Sequence, residues 1–147
     1  RPSRSFMPGP YQMVLTRKGD GVSLPYLTVW KTEMLTVGAW MLIGLGVGHV
    51  LFGLVRFRGP LGEIMAEGFV GAFQLNDARR LAFWFVIAGP LLTLLGQVAL
   101  TAIATGDVAL LRTIGWYLGG TFAVGVLAFP KSPLWALFPP AIIFVCA

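Results

Sequence analysis

Charged residues and metal-binding side chains are scarce in this sequence. Lysine, arginine, aspartate and glutamate make up 12% of the 147 residues, about half their usual share in soluble domains. With one cysteine, Cys146, and one histidine, His49, a disulfide bond within the sequence is excluded, and so is a structural zinc site, which needs about four nitrogen or sulfur ligands. No carboxylate pair lies in the apolar runs, and no nucleophile–base pair is evident. We therefore expect no catalytic residues, no metal ion held by side chains alone and no enzymatic activity.

Apolar residues, by contrast, are abundant and occur in long runs. They make up 56% of the sequence, and its mean hydropathy is +0.79. The run 35–55 carries no formal charge, and its length fits the roughly 20 apolar residues that cross a bilayer core as a helix. Because lipid offers no hydrogen bonds, the backbone of such a run has to be helical. The sequence thus predicts an all-α integral membrane protein with one bundle at 31–147.

Four membrane segments are expected in that bundle. The first three are predicted at 31–56, 81–104 and 108–129, and Pro90 should kink the second. The fourth, at 134–147, has about 14 residues, fewer than the roughly 17 that a membrane-spanning helix needs. About four transmembrane helices are therefore predicted, and the last is the least regular of them.

Polar residues that can cap a helix precede the last three membrane segments. Asn76 or Asp77 is expected to cap the second span, Asp107 the third, and Ser132 the fourth segment. Pro133 at the first helical position strengthens the last of these predictions.

A short amphipathic helix is predicted between the first two spans. Residues 61–74 carry apolar side chains at helical spacing, with Glu63 and Glu67 on the other side. The segment is too short and too charged to span, so we expect it in the interface plane. Gly59 and Pro60 should separate it from the first span. A protein contact is expected to cover this acidic face, and the two glutamates are expected to be solvated or salt-bridged and not catalytic.

Residues 1–30 are predicted to form an extended N-terminal arm. The segment contains four prolines and shows no apolar periodicity. Proline restricts its own backbone and that of its predecessor, which favours an extended chain. Several aromatic residues distinguish the arm from a solvated tail. We expect it to dock on a partner subunit.

Basic and aromatic residues flank the spans and are interpreted as interface anchors. The net charge is +5, and this charge favours lipid headgroups or acidic protein surfaces over nucleic acid. The expected anchors are Trp30, Arg56, Arg58, Arg79, Arg80 and Trp84. Basic residues are nearly balanced between the two membrane sides, so the positive-inside rule gives no orientation.

Glycines in the first span indicate two further features. Gly44 and Gly48 form a pair of small residues one turn apart, which predicts close packing of another helix. Gly46 and Gly53 share a different stripe with His49. That stripe would leave flat space beside the imidazole for a large ring.

His49 is the one candidate for chemistry. A neutral imidazole in a membrane helix can ligate the metal of a tetrapyrrole, which makes chlorophyll or haem a candidate cofactor, with carotenoid as a further pigment. In a second interpretation, His49 only donates a hydrogen bond to Thr93, Gln97 or a backbone carbonyl of another helix. Proton handling is the third.

From residue 36 onward, the sequence resembles a family of small four-helix bacterial membrane proteins of unknown function. Short motifs along the spans carry the resemblance: GVGH at 46–49, FG at 52–53, FRGPL at 57–61 with Glu63, RLAFWF at 80–85, GW at 115–116, and FP at 129–130 with Trp135. The resemblance implies a four-helix fold and no established activity, so no functional residues transfer. A bacterial core behind an added arm without an initiator methionine predicts a nucleus-encoded organelle protein.

These observations favour a non-catalytic accessory subunit of a large energy-converting membrane complex. A photosystem-type complex in a thylakoid is preferred, because of His49 with its stripe of Gly46 and Gly53 and because of the aromatic content. A respiratory complex of the mitochondrial inner membrane comes next. Its partners would be other subunits of the complex, the bilayer and structural lipids. The alternative is a small-molecule or lipid carrier that uses His49 and the kinked second span.

Overall fold

The computed structural model describes residues 25–147, with side chains from residue 29 onward. Within that range the chain forms five α-helices: α1 (Pro25–Arg56), α2 (Arg58–Glu67), α3 (Asp77–Thr105), α4 (Val108–Ala128) and α5 (Phe138–Val145). Two 3₁₀ turns, Ala72–Gln74 and Pro133–Leu137, precede α3 and α5. The described residues contain no strand, so the predicted all-α class is confirmed.

In the described part of the chain, three helices are long and apolar enough to cross a membrane: Val29–Arg56, Asp77–Thr105 and Val108–Ala128. This is consistent with an integral membrane protein. The expected fourth spanning helix is not confirmed, because Pro133–Val145 is a shorter apolar segment that begins as a 3₁₀ turn. At about 2.0 Å per residue in the turn and 1.5 Å in the helix, it extends about 22 Å, against roughly 30 Å of hydrocarbon.

The first helix is longer than the predicted first span. It begins at Pro25, so residues 25–30, predicted as the end of the arm, are helical. The rest of the predicted arm, 1–24, lies outside the described residues.

Polar caps begin the later helices where the sequence predicts them. The side chain of Asn76 accepts a hydrogen bond from the Arg79 amide at 2.9 Å, and that of Asp107 accepts one from the Leu110 amide at 2.9 Å. Ser132 Oγ accepts the Leu134 amide at 3.4 Å. Each bond satisfies an amide of a first turn that has no partner inside its own helix.

The second helix, α2, differs from the predicted helix 61–74 at both ends. It begins at Arg58 and takes Pro60 as its third residue, which is possible because amides of the first turn need no helical partner. It ends at Glu67, before Gly68 and Gly71, whose φ angles are 104° and 77°. Positive φ angles of this size are readily adopted by glycine, because it has no Cβ atom. The predicted helix 61–74 is therefore a helix, a glycine turn and a 3₁₀ turn.

The buried core lies where α1, α3, α4 and α5 meet. Its members are small or branched apolar side chains around one fully buried aromatic ring: Leu35, Ala39, Leu42, Ala99, Ala102, Leu111, Ile114, Leu118, Leu137, Ala141, Phe144 and Ala147. Helix α5 runs antiparallel along α4, since Leu134 lies at Gly125 and Val145 at Gly115. The short α5 thus fills the groove between α1 and α4.

Helices α1 and α3 run antiparallel in direct backbone contact. A Cβ added to Gly46 would lie 2.6 Å from the Gly89 carbonyl oxygen, and one added to Gly96 would lie 2.8 Å from the Ala39 carbonyl oxygen. The close packing predicted at Gly44 and Gly48 is not found inside the bundle. A Cβ at either position would meet nothing within 4 Å among the described residues.

The reason is helical geometry. Two residues along an α-helix correspond to a rotation of about 200°. Because Gly46 meets α3, Gly44 and Gly48 point to the opposite side of α1. Small residues do mediate the crossing, as expected for membrane helices, but on the other stripe.

Candidate functional site

His49 lies on α1, two turns before the end of that helix at Arg56. Its imidazole stacks on the ring of Phe85 of α3, with centroids 4.0 Å apart and an interplanar angle of 13°. Phe85 also contacts Phe52 and Phe57, at centroid distances of 6.0 and 5.4 Å. One face of the imidazole is therefore held against an aromatic group.

The nitrogens of His49 have no hydrogen-bond partner in the part of the chain that the structure describes. Of the expected partners, Thr93 donates its hydroxyl to the Gly89 carbonyl oxygen of its own helix at 3.1 Å. Gln97 lines a separate cavity with Thr93 between α1 and α3. Within residues 25–147, His49 therefore makes none of the hydrogen bonds that the second interpretation expects.

A cleft runs past His49 between α1, α3 and the 3₁₀ turn that precedes α5. Its outer part has a volume of about 450 Å³ and reaches Gly44, Gly48 and Phe52. Its inner part, about 270 Å³, reaches Leu92 and Leu137. Both parts are lined by the same central residues: Leu45, His49, Phe85, Pro133 and Ala136. We call the two parts together the His49 cleft.

The space beside His49 is on the side opposite to the predicted one. A Cβ on Gly53 would lie 3.0 Å from atoms of Phe85 and Val86, and Gly46 packs on Thr93. The flat space expected at Gly46 and Gly53 is thus filled by α3. Gly44 and Gly48, which line the outer cleft, leave the open space instead.

Polar groups in the cleft are few. Besides His49, the inner part is lined by Ser132, whose Oγ accepts one backbone amide and whose hydroxyl hydrogen remains available to donate. The described residues contain no group of three or more histidine, cysteine, aspartate or glutamate side chains that could hold a metal ion. The cleft is chemically an apolar groove with one imidazole and one hydroxyl.

A second polar cluster joins α2 to the start of α3. Arg79 is 4% exposed and donates to Glu63 Oε2 from Nε and Nη2, at 3.1 and 2.9 Å. It also donates to both oxygens of Glu67, at 2.6 and 2.8 Å. The hydrogen bond from Arg79 lowers the pKa of Glu67 below its usual value. Arg79 therefore connects two helices inside the protein, and its predicted role as an outward interface anchor is wrong.

The other predicted anchors point outward. Arg80 is exposed and pairs with Asp77 at 2.8 Å, and Arg56 and Arg58 are exposed. Trp30 and Trp84 are also exposed. Their positions suit the headgroup region, where aromatic rings and long cationic side chains are favoured.

Sequence reasoning missed Phe85 and the residues of the 3₁₀ turn that line the cleft. Phe85 is one aromatic residue in the run RLAFWF, and nothing in that run marks which ring meets α1. The role of Arg79 had a weak signal. Glu63 and Glu67 lie one turn apart on a helix and precede two adjacent arginines, Arg79 and Arg80. Because adjacent residues on a helix point in different directions, only one of these arginines could face inward.

No curated protein and no solved structure matches the chain. A family model does match residues 33–147, which cover all the described helices apart from the beginning of α1. On that match, the chain belongs to a family of unknown function, DUF6463.

Proposed function

We propose that this chain is a non-catalytic membrane protein that binds a membrane-dissolved, mostly apolar small molecule in the His49 cleft. The observation that carries the proposal is the imidazole itself. It lies in an apolar span, without a hydrogen-bond partner in residues 25–147, at the centre of a cleft.

Physical chemistry supports a ligand at this place. A polar group in a low-dielectric environment costs free energy unless it is hydrogen-bonded, and polar residues within membrane spans commonly mark ligand or substrate sites. Small-molecule sites are mostly apolar, with a few polar groups, and have volumes of roughly 300–1,000 Å³. The outer cleft, at about 450 Å³, fits that description.

The expected ligand has a carbonyl or hydroxyl headgroup and an apolar body. His49 would hold the headgroup, Phe85 would fix the plane of the imidazole, and Ser132 could donate a second hydrogen bond. A pigment or haem ligated by His49 would have to lie over Gly44 and Gly48. The proposal is not tied to a photosystem or a thylakoid, because that preference depended on space beside Gly46 and Gly53 that α3 fills.

The test is the small-molecule content of the purified protein. Wild type, His49→Leu and the control Gln97→Leu are purified in mild detergent, and their solvent extracts are compared by mass spectrometry. Wild type and Gln97→Leu should retain the same small molecule near one per chain, and His49→Leu should lose it by about tenfold. Equal content in all three would contradict the proposal. An absorption spectrum with tetrapyrrole bands would identify the ligand as a pigment or haem.

A second candidate function, a subunit of a larger membrane complex, is favoured by the outer face of α4. Trp116, Tyr117 and Val124 are 68%, 76% and 70% exposed, and they line a groove of about 630 Å³ together with Gly120. Tyr117 is near the middle of the span, where a lipid-facing hydroxyl is unfavourable. In that case the chain would comigrate with a large complex in native gels, and Gly120→Leu would release it.

A further inference from the structure

Another cavity lies between the loop that follows α2 and the beginning of α3, separate from the His49 cleft. It has a volume of about 510 Å³, and its principal lining residues are Phe69, Phe73, Gln74, Arg80, Phe83 and Trp84. We call it the interfacial pocket. Nothing in the function proposed for His49 requires it.

One wall of the interfacial pocket is a continuous series of aromatic rings. Phe69 contacts Phe73, Phe73 contacts Phe83, and Phe83 contacts Trp84, with centroids 5.1, 5.1 and 5.3 Å apart. All three pairs have the edge-on geometry that aromatic rings favour. The series connects the loop after α2 to α3 and gives the pocket a rigid apolar wall.

The rim of the pocket is polar and the surface around it is apolar. Arg80 is the fourth residue of α3 and Trp84 the eighth, so Arg80 lies about 6 Å nearer than Trp84 to the N-terminal end of the helix. The surrounding loop exposes Phe69, Val70 and Leu75 at 67%, 99% and 68%. Such side chains suit the boundary between headgroups and acyl chains.

Arg80 has hydrogen-bond donors that no described residue uses. Its Nη2 pairs with Asp77, its side chain remains 58% exposed, and the described residues give its other nitrogens no hydrogen bond. The side-chain amide of Gln74 likewise has no partner in residues 25–147. A phosphate group could accept hydrogen bonds from both, and arginine binds phosphate through paired donors.

The charges around the pocket favour a zwitterionic ligand over an anionic one. The charges of Arg80 and Asp77 cancel, and the charge of Arg79 is already paired with those of Glu63 and Glu67. The region therefore has no positive excess for a headgroup of net negative charge. Asp77 is 96% exposed at its side chain and could accept a hydrogen bond from a primary ammonium group.

We propose that the interfacial pocket binds one zwitterionic phospholipid with a primary amine headgroup. The phosphate lies on Arg80 and Gln74, the ammonium lies on Asp77, and an acyl chain runs along Phe73, Phe83 and Trp84. A phosphatidylethanolamine has this combination of groups. A choline headgroup lacks the N–H donors that Asp77 would accept.

The test is native mass spectrometry of the full chain released from bilayers that contain equal parts of ethanolamine, choline and glycerol phospholipids. Wild type should retain one ethanolamine phospholipid in preference to the others. Arg80→Gln should lower that retained fraction by about tenfold, and Asp77→Asn should remove the preference over choline lipid. Arg58→Gln is the matched control, because it deletes an equal, exposed charge on α2 that does not line the pocket.

Retention by Arg80→Gln equal to that of wild type would overturn the proposal. Preference for the glycerol lipid, or equal losses in Arg58→Gln, would overturn it as well. The melting temperatures of the variants should lie within about 2 °C of that of wild type, because Arg80, Asp77 and Arg58 are exposed and surface ion pairs add little stability.

Discussion

At the scale of single residues, the glycines of α1 decide which face is packed and which is open. Gly44, Gly46 and Gly48 follow one another at every second position, so the sequence alone shows two small-residue faces and does not rank them. The choice is made by α3, whose Gly89 and Gly96 face Gly46 and Ala39. His49 could be singled out from the sequence, whereas the side on which space lies beside it could not.

Alanine substitutions at Gly46 and Gly44 should distinguish the packed face of α1 from its open face. A methyl group at Gly46 would be forced against the Gly89 carbonyl oxygen at 2.6 Å, so we expect Gly46→Ala to cost about 1–3 kcal/mol of stability. Gly44→Ala, which adds the same group in open space, should leave the melting temperature unchanged or slightly higher. Thermal unfolding of both variants in one detergent measures the difference. Equal melting would show that α1 and α3 do not cross at Gly46.

At the scale of elements, helix ends followed from the sequence better than helix packing did. Asn76, Asp107 and Ser132 cap the helices that they were predicted to begin, because capping is a local interaction. The extent of α2 was overestimated, since apolar periodicity continued through Gly71 in the sequence while its backbone turned there. The burial of Arg79 could not be predicted, because it depends on how that turn returns the chain to α2.

The contact between α2 and α3 should depend on pH through the Arg79 cluster. Arg79 lowers the pKa of Glu67, so Glu67 binds protons more weakly in the folded protein than in the unfolded one. Its contribution to stability is complete above the unfolded value, about 4.3, and is lost as pH falls through the lower folded pKa.

We therefore expect the melting temperature to decrease below about pH 4.3 in wild type. Arg79→Gln should lower the melting temperature by about 5 °C at neutral pH and flatten its dependence on acid pH. The control Arg80→Gln changes a neighbouring exposed pair and should shift it by less than about 2 °C. If the melting temperature of Arg79→Gln fell with acid pH as steeply as that of wild type, the pH dependence would have to come from groups other than the Arg79 cluster.

At the scale of the whole molecule, residues 25–147 form an open bundle with three helices long enough to cross a membrane and a short fourth segment in its groove. The helical fold and the helices of membrane-spanning length followed from composition and run lengths, because a bilayer restricts spanning segments to so few structures. The His49 cleft did not follow from composition and run lengths, since it requires the 3₁₀ turn before α5 to lie against α1 and α3. That arrangement brings together residues far apart in the sequence, such as Leu45, Phe85 and Pro133.

The most direct measurement of ligand binding uses the fact that His49 is the one histidine of this sequence. Labelling with ¹⁵N-histidine gives imidazole nitrogen signals that arise from His49 alone and respond to hydrogen bonding or metal ligation. Spectra are recorded for the protein purified with its native lipids and again after complete delipidation. Gly44→Leu, which should block the outer cleft, is the matched variant.

We expect the imidazole signals of wild type to shift on delipidation and to return when the native lipid extract is added back. In Gly44→Leu the signals should resemble those of delipidated wild type throughout. Identical wild-type spectra before and after delipidation would show that nothing binds His49 in the cleft and would contradict the proposed function.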